Sequence, residues 1–176
     1  SNGKYIIMLD SDDYLAHEMI KSMYSIQEKY DTDLVICGFE KGQSETFEGL
    51  QFLNPQIEII DSRTALVRIY ESDENALQYV APWAKLYKRK LFKGIRYPAG
   101  KIFEDIYVTH QILYRCNRIA VTSQKMIYYY QHSESIMNQK FHIKKLDYLE
   151  ALKMRIDFFE ENKLEGLKLI ANDEYI

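Results

Sequence analysis

The sequence predicts an α/β domain, a mostly parallel sheet with flanking helices and a helical C-terminal tail, and three observations carry that reading. Tyr5-Ile6-Ile7-Met8-Leu9 and Asp33–Phe39 (DLVICGF) are continuous apolar runs, the pattern of strands buried on both faces. Between them Leu15, Met19, Met23 and Ile26 recur at helical spacing, so the chain opens strand–helix–strand, the unit that builds parallel sheets. The composition, 47% apolar and 28% charged over 176 residues, is that of one ordinary globular domain able to bury a core.

Each element follows in order. Asp12 or Asp13 is the expected N-cap of the first helix. Gly38 to Pro55 is polar and reads as a loop or weak hairpin. A helix is predicted after Asp61-Ser62, carrying Ala65, Leu66, Ile69 and Tyr70, and Ala84–Tyr87 reads as a short strand before a basic turn, Lys88-Arg89-Lys90. Glu104–Arg115 has helical spacing through Ile106, Val108, Ile112 and Leu113. Arg118–Thr122 and Met126–Tyr130 read as two strands with a turn at Ser123-Gln124. From His142 a long amphipathic helix carries Ile143, Leu146, Leu149, Leu152, Ile156 and Phe159 on one stripe, with a break expected at Gly166.

Charge and composition exclude several classes. The 23 Lys+Arg against 26 Asp+Glu leave a net charge of −3, with no basic stripe for nucleic acid. No apolar run approaches the ~20 residues of a membrane span. Cys37 and Cys116 are too few and too far apart for a disulfide framework, and their apolar neighbours predict buried, reduced thiols and a cytoplasmic setting. The fifteen tyrosines suit either a sugar-facing surface or a core.

The densest chemistry is Asp10-Ser11-Asp12-Asp13, at the carboxyl end of the first strand, where open α/β sheets place their ligands. If the strand runs that far, Asp10 and Asp12 project to one face. Carboxylates so close repel one another unless a cation neutralises them, and hard oxygen ligands suit Mg²⁺ or Mn²⁺. The same acids also suit a solvated helix cap. Glu104-Asp105 is a second acidic pair, and acids at a predicted helix start also answer the macrodipole.

The segment GKYIIMLDSDDYL resembles the D-x-D region of family 2 glycosyltransferases, of the bacterial branch that builds capsular, exopolysaccharide and lipopolysaccharide chains. Three further stretches match in order. They are Ala81-Pro82-Trp83-Ala84-Lys85-Leu86-Tyr87, then Arg96-Tyr97-Pro98 with Ile102-Phe103-Glu104-Asp105, and Tyr128-Tyr129-Tyr130-Gln131-His132 leading to Ser135-Ile136. The resemblance covers about residues 3–140 and implies the C-terminal portion of a GT-A (nucleotide-diphospho-sugar transferase, Rossmann-like) domain, followed by a helical extension over 141–176.

The resemblance also implies roles. Asp12 is the principal ligand of Mn²⁺ or Mg²⁺, with Asp10 and Asp13 beside it contacting the donor ribose, sugar or metal. Asp105 is the base that deprotonates the acceptor hydroxyl in an inverting transfer, and Glu104 orients the acceptor or tunes Asp105. Trp83 lies by the acceptor, open either to stacking on a sugar or to a core position. His132 reaches toward the metal or pyrophosphate, ahead of His17, His110 and His142. Lys88-Arg89-Lys90 is either a solvated turn or a site for phosphate or anionic lipid. The implied partners are a nucleotide-sugar donor and a saccharide or lipid-linked acceptor, in the cytoplasm or peripherally at the inner face of the membrane.

The family's nucleotide-binding strands have no counterpart before Tyr5, and Ser1-Asn2 read as a cloning remnant. The chain is therefore expected to be the later part of a larger domain, inactive alone, with an opened sheet edge that invites a homodimer. The rival is a haloacid-dehalogenase-type phosphohydrolase with Asp10 as nucleophile and Asp12 as acid/base. Asp13-Tyr14 replace the small Gly-Thr pair that family carries, and its later motifs are missing. A non-catalytic interaction module is the third reading.

Overall fold

The computed structural model describes residues 2–44, 55–71, 74–131 and 143–175. In chain order these form β1 (Tyr5–Ile6), β2 (Tyr14–Leu15), α1 (Met19–Tyr30), β3 (Leu34–Gly42), β4 (Ile57–Ile60), α2 (Ser62–Arg68) and α3 (Glu74–Val80). There follow β5 (Lys85–Lys88), α4 (Glu104–Tyr114), β6 (Ile119–Tyr130), α5 (Asp147–Glu161) and α6 (Glu165–Tyr175). Short 3₁₀ turns lie at Arg89–Phe92 and Ile143–Leu146.

The α/β class holds, but the expected mostly parallel sheet is mixed. Strands run in the order β1-β5-β3-β6-β2, with β4 also paired to β6. Among the described residues, only the central pair β3–β6 is parallel; β1–β5, β3–β5, β2–β6 and β4–β6 are antiparallel. The opening unit is right in direction and wrong in adjacency. β1 and β3 run the same way, and β5 is inserted antiparallel between them.

Alternation explains why β3 reads as one unbroken apolar run. Leu34 and Ile36 enter the core under α2, α4, α5 and α6, while Val35, Cys37 and Phe39 enter a second core under α1. A strand buried on both faces has no polar side to show.

Four further expectations are corrected. The two strands expected at 118–130 are one, β6: Ser123-Gln124 form a bulge instead of a turn, and the pairing register shifts around Gly38. Polar groups there hold one another, with Gln124 N–H donating to Thr122 Oγ1 at 3.3 Å and Ser123 N–H to the Gln56 carbonyl at 3.0 Å. The first helix starts at Met19, not after Asp13, because Tyr14-Leu15 pair with Tyr128 and Ile127 of β6. The polar stretch from Gly38 begins as strand, since β3 continues to Gly42; residues 45–54 lie outside the described residues. The tail is two helices that part at Lys163, whose φ of 58° ends α5, while Gly166 sits inside α6.

Other expectations hold. Asp61 caps α2, its Oδ1 accepting from Thr64 N–H at 2.8 Å. Both cysteines are buried and free. Ala151, Leu152, Ile156 and Phe159 of α5 and Leu167 and Ala171 of α6 belong to the same core as α4 and β3, so the helical extension is packed into the domain. Among the described residues no helix is long and apolar enough to cross a membrane.

Candidate active site

β1 ends at Ile6, and the chain then reverses in a tight turn in which Asp13 N–H donates to the Asp10 carbonyl at 3.3 Å across Ser11-Asp12. Asp10 and Asp12 therefore share a turn rather than one face of a strand. Their charges remain close. Asp10 is raised above the ordinary carboxylate range, first by loss of water and then by the negative charges of Asp12 and Glu104.

Asp13 is 8% exposed. Its Oδ1 accepts from Tyr130 N–H at 3.0 Å, which pins the end of β6 to the acidic turn, so the residue expected to cap a helix ties the sheet instead. Its Oδ2 is buried with no hydrogen-bond partner among the described residues. Burial pushes this carboxyl up to about 6; the Tyr130 N–H opposes that, and Asp10 and Asp12 add to it.

The second acidic pair opens α4. Phe103 adopts a left-handed conformation (φ 57°), and the helix begins at Glu104 with Glu104 exposed and Asp105 half-buried. Asp105 Oδ1 accepts from Ile106 N–H at 2.9 Å. Burial raises Asp105; Glu104 raises it further, while the Ile106 N–H and the Lys85 ammonium oppose the rise. Glu104 thus raises Asp10 and Asp105 alike, so its carboxylate lies within electrostatic reach of both the acidic turn and the start of α4.

Three residues given no role from sequence belong to this site. Burial raises the Tyr97 phenol, with Asp105 and Glu104 adding to it, and its hydroxyl donates to Met8 Sδ at 3.4 Å. Burial raises the Tyr129 phenol too, with Asp13, Asp10 and Asp12 adding to it. Lys85 is wholly buried; burial lowers its ammonium to about 7, with Cys37 and Asp105 opposing. It donates to the Ala81 carbonyl and reaches that of Trp83 at 3.5 Å. Thr109 takes the Val80 carbonyl, Tyr87 that of Pro82 and Cys37 N–H that of Ala84, so five successive carbonyls of this loop are held. The available signal was their place inside the matching stretches.

The remaining candidates separate. Trp83 is 4% exposed, its ring 5.0 Å from Phe39 and 5.2 Å from Tyr129. Of its two readings the core position is the observed one, and no open face is left to stack on a sugar. His132 and His142, and Ser135-Ile136, lie outside the described residues. His17 is exposed before α1, and His110 is buried in α4 against Phe158 and Phe159. The basic turn is paired internally: Lys90 meets Asp33 at 2.8 Å, and Lys88 meets Asp31 at 3.2 Å and Asp33 at 3.5 Å.

Among the described residues no three His, Cys, Asp or Glu side chains converge into a ready ligand set. The donor chemistry still fits a hard divalent cation, because Mg²⁺ is commonly held by one or two carboxylates and completed by phosphates and water. Asp12 and Asp10 would hold it, and the partnerless Asp13 Oδ2 marks the local excess of negative charge. A cavity of about 750 Å³ lies apart from these acids, between β4, β6, α2 and α3 and lined by Gln56, Arg68, Gln78 and Tyr79.

Known proteins match this chain along most of its length. Glycosyltransferase GlyA of Streptococcus pneumoniae serotype 4 is 25% identical over 134 residues, 74% of this chain and 19% of its own. Glycosyltransferase GlyG of the same organism is 25% identical over 146 residues, 80% of this chain and 48% of its own. The chain thus spans less than half of either relative. The crystal structure of residues 1–349 of Staphylococcus aureus TarS in complex with UDP-GlcNAc shares the fold. Its TM-score is 0.63 at 19% identity, over 89% of this chain and 42% of that one. The likeness is to a GT-A glycosyltransferase fold. Residues 1–96 match the family described as Glycosyl transferase family 2. That match covers more than half of the chain, and the chain belongs to family 2 of the glycosyltransferases.

Proposed function

We propose that the chain carries the catalytic acids of a metal-dependent, inverting sugar transfer from a nucleotide-diphospho-sugar to an acceptor hydroxyl, in cell-surface polysaccharide biosynthesis. The observation that carries this reading is Asp105, half-buried at the start of α4 and raised in proton affinity, with Glu104 acting on it and on Asp10 of the acidic turn. A base of that kind holds its acceptor proton better than an exposed carboxylate does.

Asp105 takes the proton from the acceptor oxygen. That oxygen forms a bond to the anomeric carbon as the bond from this carbon to the diphosphate breaks on the opposite face, so the centre inverts and a nucleoside diphosphate leaves. Glu104 keeps Asp105 basic and orients the acceptor. A divalent ion on Asp12 and Asp10 would supply charge stabilisation of the leaving diphosphate. Lys85 and its loop keep the floor of the site in place. Because TarS is solved with UDP-GlcNAc, a uridine-diphosphate donor is the first to test. We place the work in the cytoplasm, at or near the inner membrane face where a lipid-linked acceptor would lie.

Calorimetric titration of UDP into the full-length protein with and without Mn²⁺ tests the donor side. Binding that needs Mn²⁺ and vanishes in Asp12→Ala is the expected result; equal binding without the ion would overturn the metal assignment. On the acceptor side, Asp105→Asn in the full-length protein is expected to lower kcat by about 10²–10⁴-fold, with Mn²⁺-dependent UDP binding unchanged. Transfer that survives this substitution would remove Asp105 as base. The phosphohydrolase reading is set aside by the family match, and a generic aryl phosphate should not be hydrolysed.

A further inference from the structure

The contacts of α5 point to a role for the C-terminal extension beyond filling the core. We propose that α5 is a positioning element of the active site, with Asp147 as the residue that fixes the turn delivering Glu104 and Asp105. The inference rests on the reading of Asp105 as base and concerns how its carboxyl is placed.

The turn needs holding. Residues 101–103 have no regular structure, and Phe103 sits at φ 57°, a conformation unfavourable for a side chain with a Cβ unless its surroundings enforce it. The first turn of α5 supplies that enforcement. Asp147 Oδ2 accepts from Ile102 N–H at 3.1 Å and Oδ1 from Lys101 Nζ at 3.0 Å, and the Asp147 carbonyl accepts from Tyr107 Oη–H at 2.8 Å. Glu150 also takes the Lys101 ammonium, and the Tyr148 ring meets Phe103 edge-on at 5.6 Å. One carboxylate and its neighbours therefore grip residues 101, 102, 103 and 107, on both sides of Glu104-Asp105.

The same helix reaches the turn a second time. Arg155 is 2% exposed, and its Nη2 donates to the Ile106 carbonyl at 3.4 Å, which His110 Nδ1 also meets at 3.2 Å. Ile106 is the residue whose N–H holds Asp105 Oδ1. An acid in the first turn of a helix usually caps its own helix or faces the macrodipole. Here Leu146, at the cap position before α5, makes no side-chain cap, and the carboxylate of Asp147 is engaged by another segment. The Lys101 bond keeps it in its charged, accepting form.

The groups facing the Asp105 carboxyl are Glu104, Lys85, Tyr87 and Tyr97. If Asp147 sets their distances, loosening it changes what that carboxyl feels. The test is a ¹³C-carboxyl NMR titration of Asp105 in this chain, as wild type, Asp147→Ala, Asp147→Asn and Asp157→Asn. Asp157 pairs with Lys153 on the exposed face of the same helix and serves as control. In Asp147→Ala the Asp105 midpoint is expected to fall by at least about half a pH unit as water reaches it. Asp147→Asn, which keeps one acceptor, should fall between, and Asp157→Asn should match wild type. An unchanged Asp105 midpoint in a folded Asp147→Ala or Asp147→Asn, whatever the loss in melting temperature, would reduce α5 to packing and overturn the proposal. The two readings fail separately. Transfer persisting in Asp105→Asn removes the base, whereas the titration reports on the positioning alone.

Discussion

His110 shows at residue scale what burial does to a titratable group. It is 1% exposed, ringed by Phe158 and Phe159, and burial together with the Arg155 charge lowers it to about 3, with the Ile106 carbonyl opposing. The folded state keeps it neutral while the unfolded state takes up a proton below 6.5. Its contribution is therefore present above pH 6.5 and lost as the pH falls toward 3, by about 2 kcal/mol between pH 6.5 and pH 5. His110→Phe keeps a ring there and removes the titration. Its stability, from urea denaturation, should decline less than that of wild type over this range; parallel declines would contradict the account. Sequence spacing located this histidine on a helix, but which face of the helix is buried depends on α5, which follows 37 residues later.

At the scale of elements, local chemistry and tertiary pairing divide the outcome. α2 was legible because its start signal is local: Asp61 accepts from Thr64, three residues on. Asp61→Ala should cost about 1 kcal/mol, read as a lower midpoint in urea with an unchanged slope. The start of α1 was not legible, because Asp13-Tyr14-Leu15 are claimed by β6, more than a hundred residues away. β6 likewise looked like two strands, because a bulge and a turn both draw polar residues such as Ser123 and Gln124, and only the partner strand distinguishes them. The acids of the candidate site stood out in the sequence as two clusters; that Glu104 comes within electrostatic reach of Asp10 depends on the turn before α4.

For the whole molecule, the helical tail and the sheet share one core. Leu167 and Ala171 of α6 pack with residues of β3, α2 and α4, across most of the chain. Leu167 is 3% exposed, so Leu167→Ala should remove about 2–5 kcal/mol. The loss should appear in a single unfolding transition that Trp83 fluorescence and far-ultraviolet circular dichroism report together. Two separated transitions would show that the tail unfolds on its own.

What the sequence by itself determined is what short-range physics encodes. Apolar runs marked the strands buried on both faces, 3.6-residue spacing marked α4 and the tail, Asp61-Ser62 marked the start of α2, and two acidic clusters marked the candidate site. The tertiary structure decided which neighbours those elements meet. It inserted β5 between β1 and β3, buried Trp83 between Phe39 and Tyr129, brought the Lys85 charge within reach of Asp105 and set Asp147 on the turn that carries it. The reason is the range of the forces involved. Propensity and periodicity act over a few residues, whereas sheet order, burial and the electrostatic surroundings of a carboxylate are set by groups that come together only when the chain has folded.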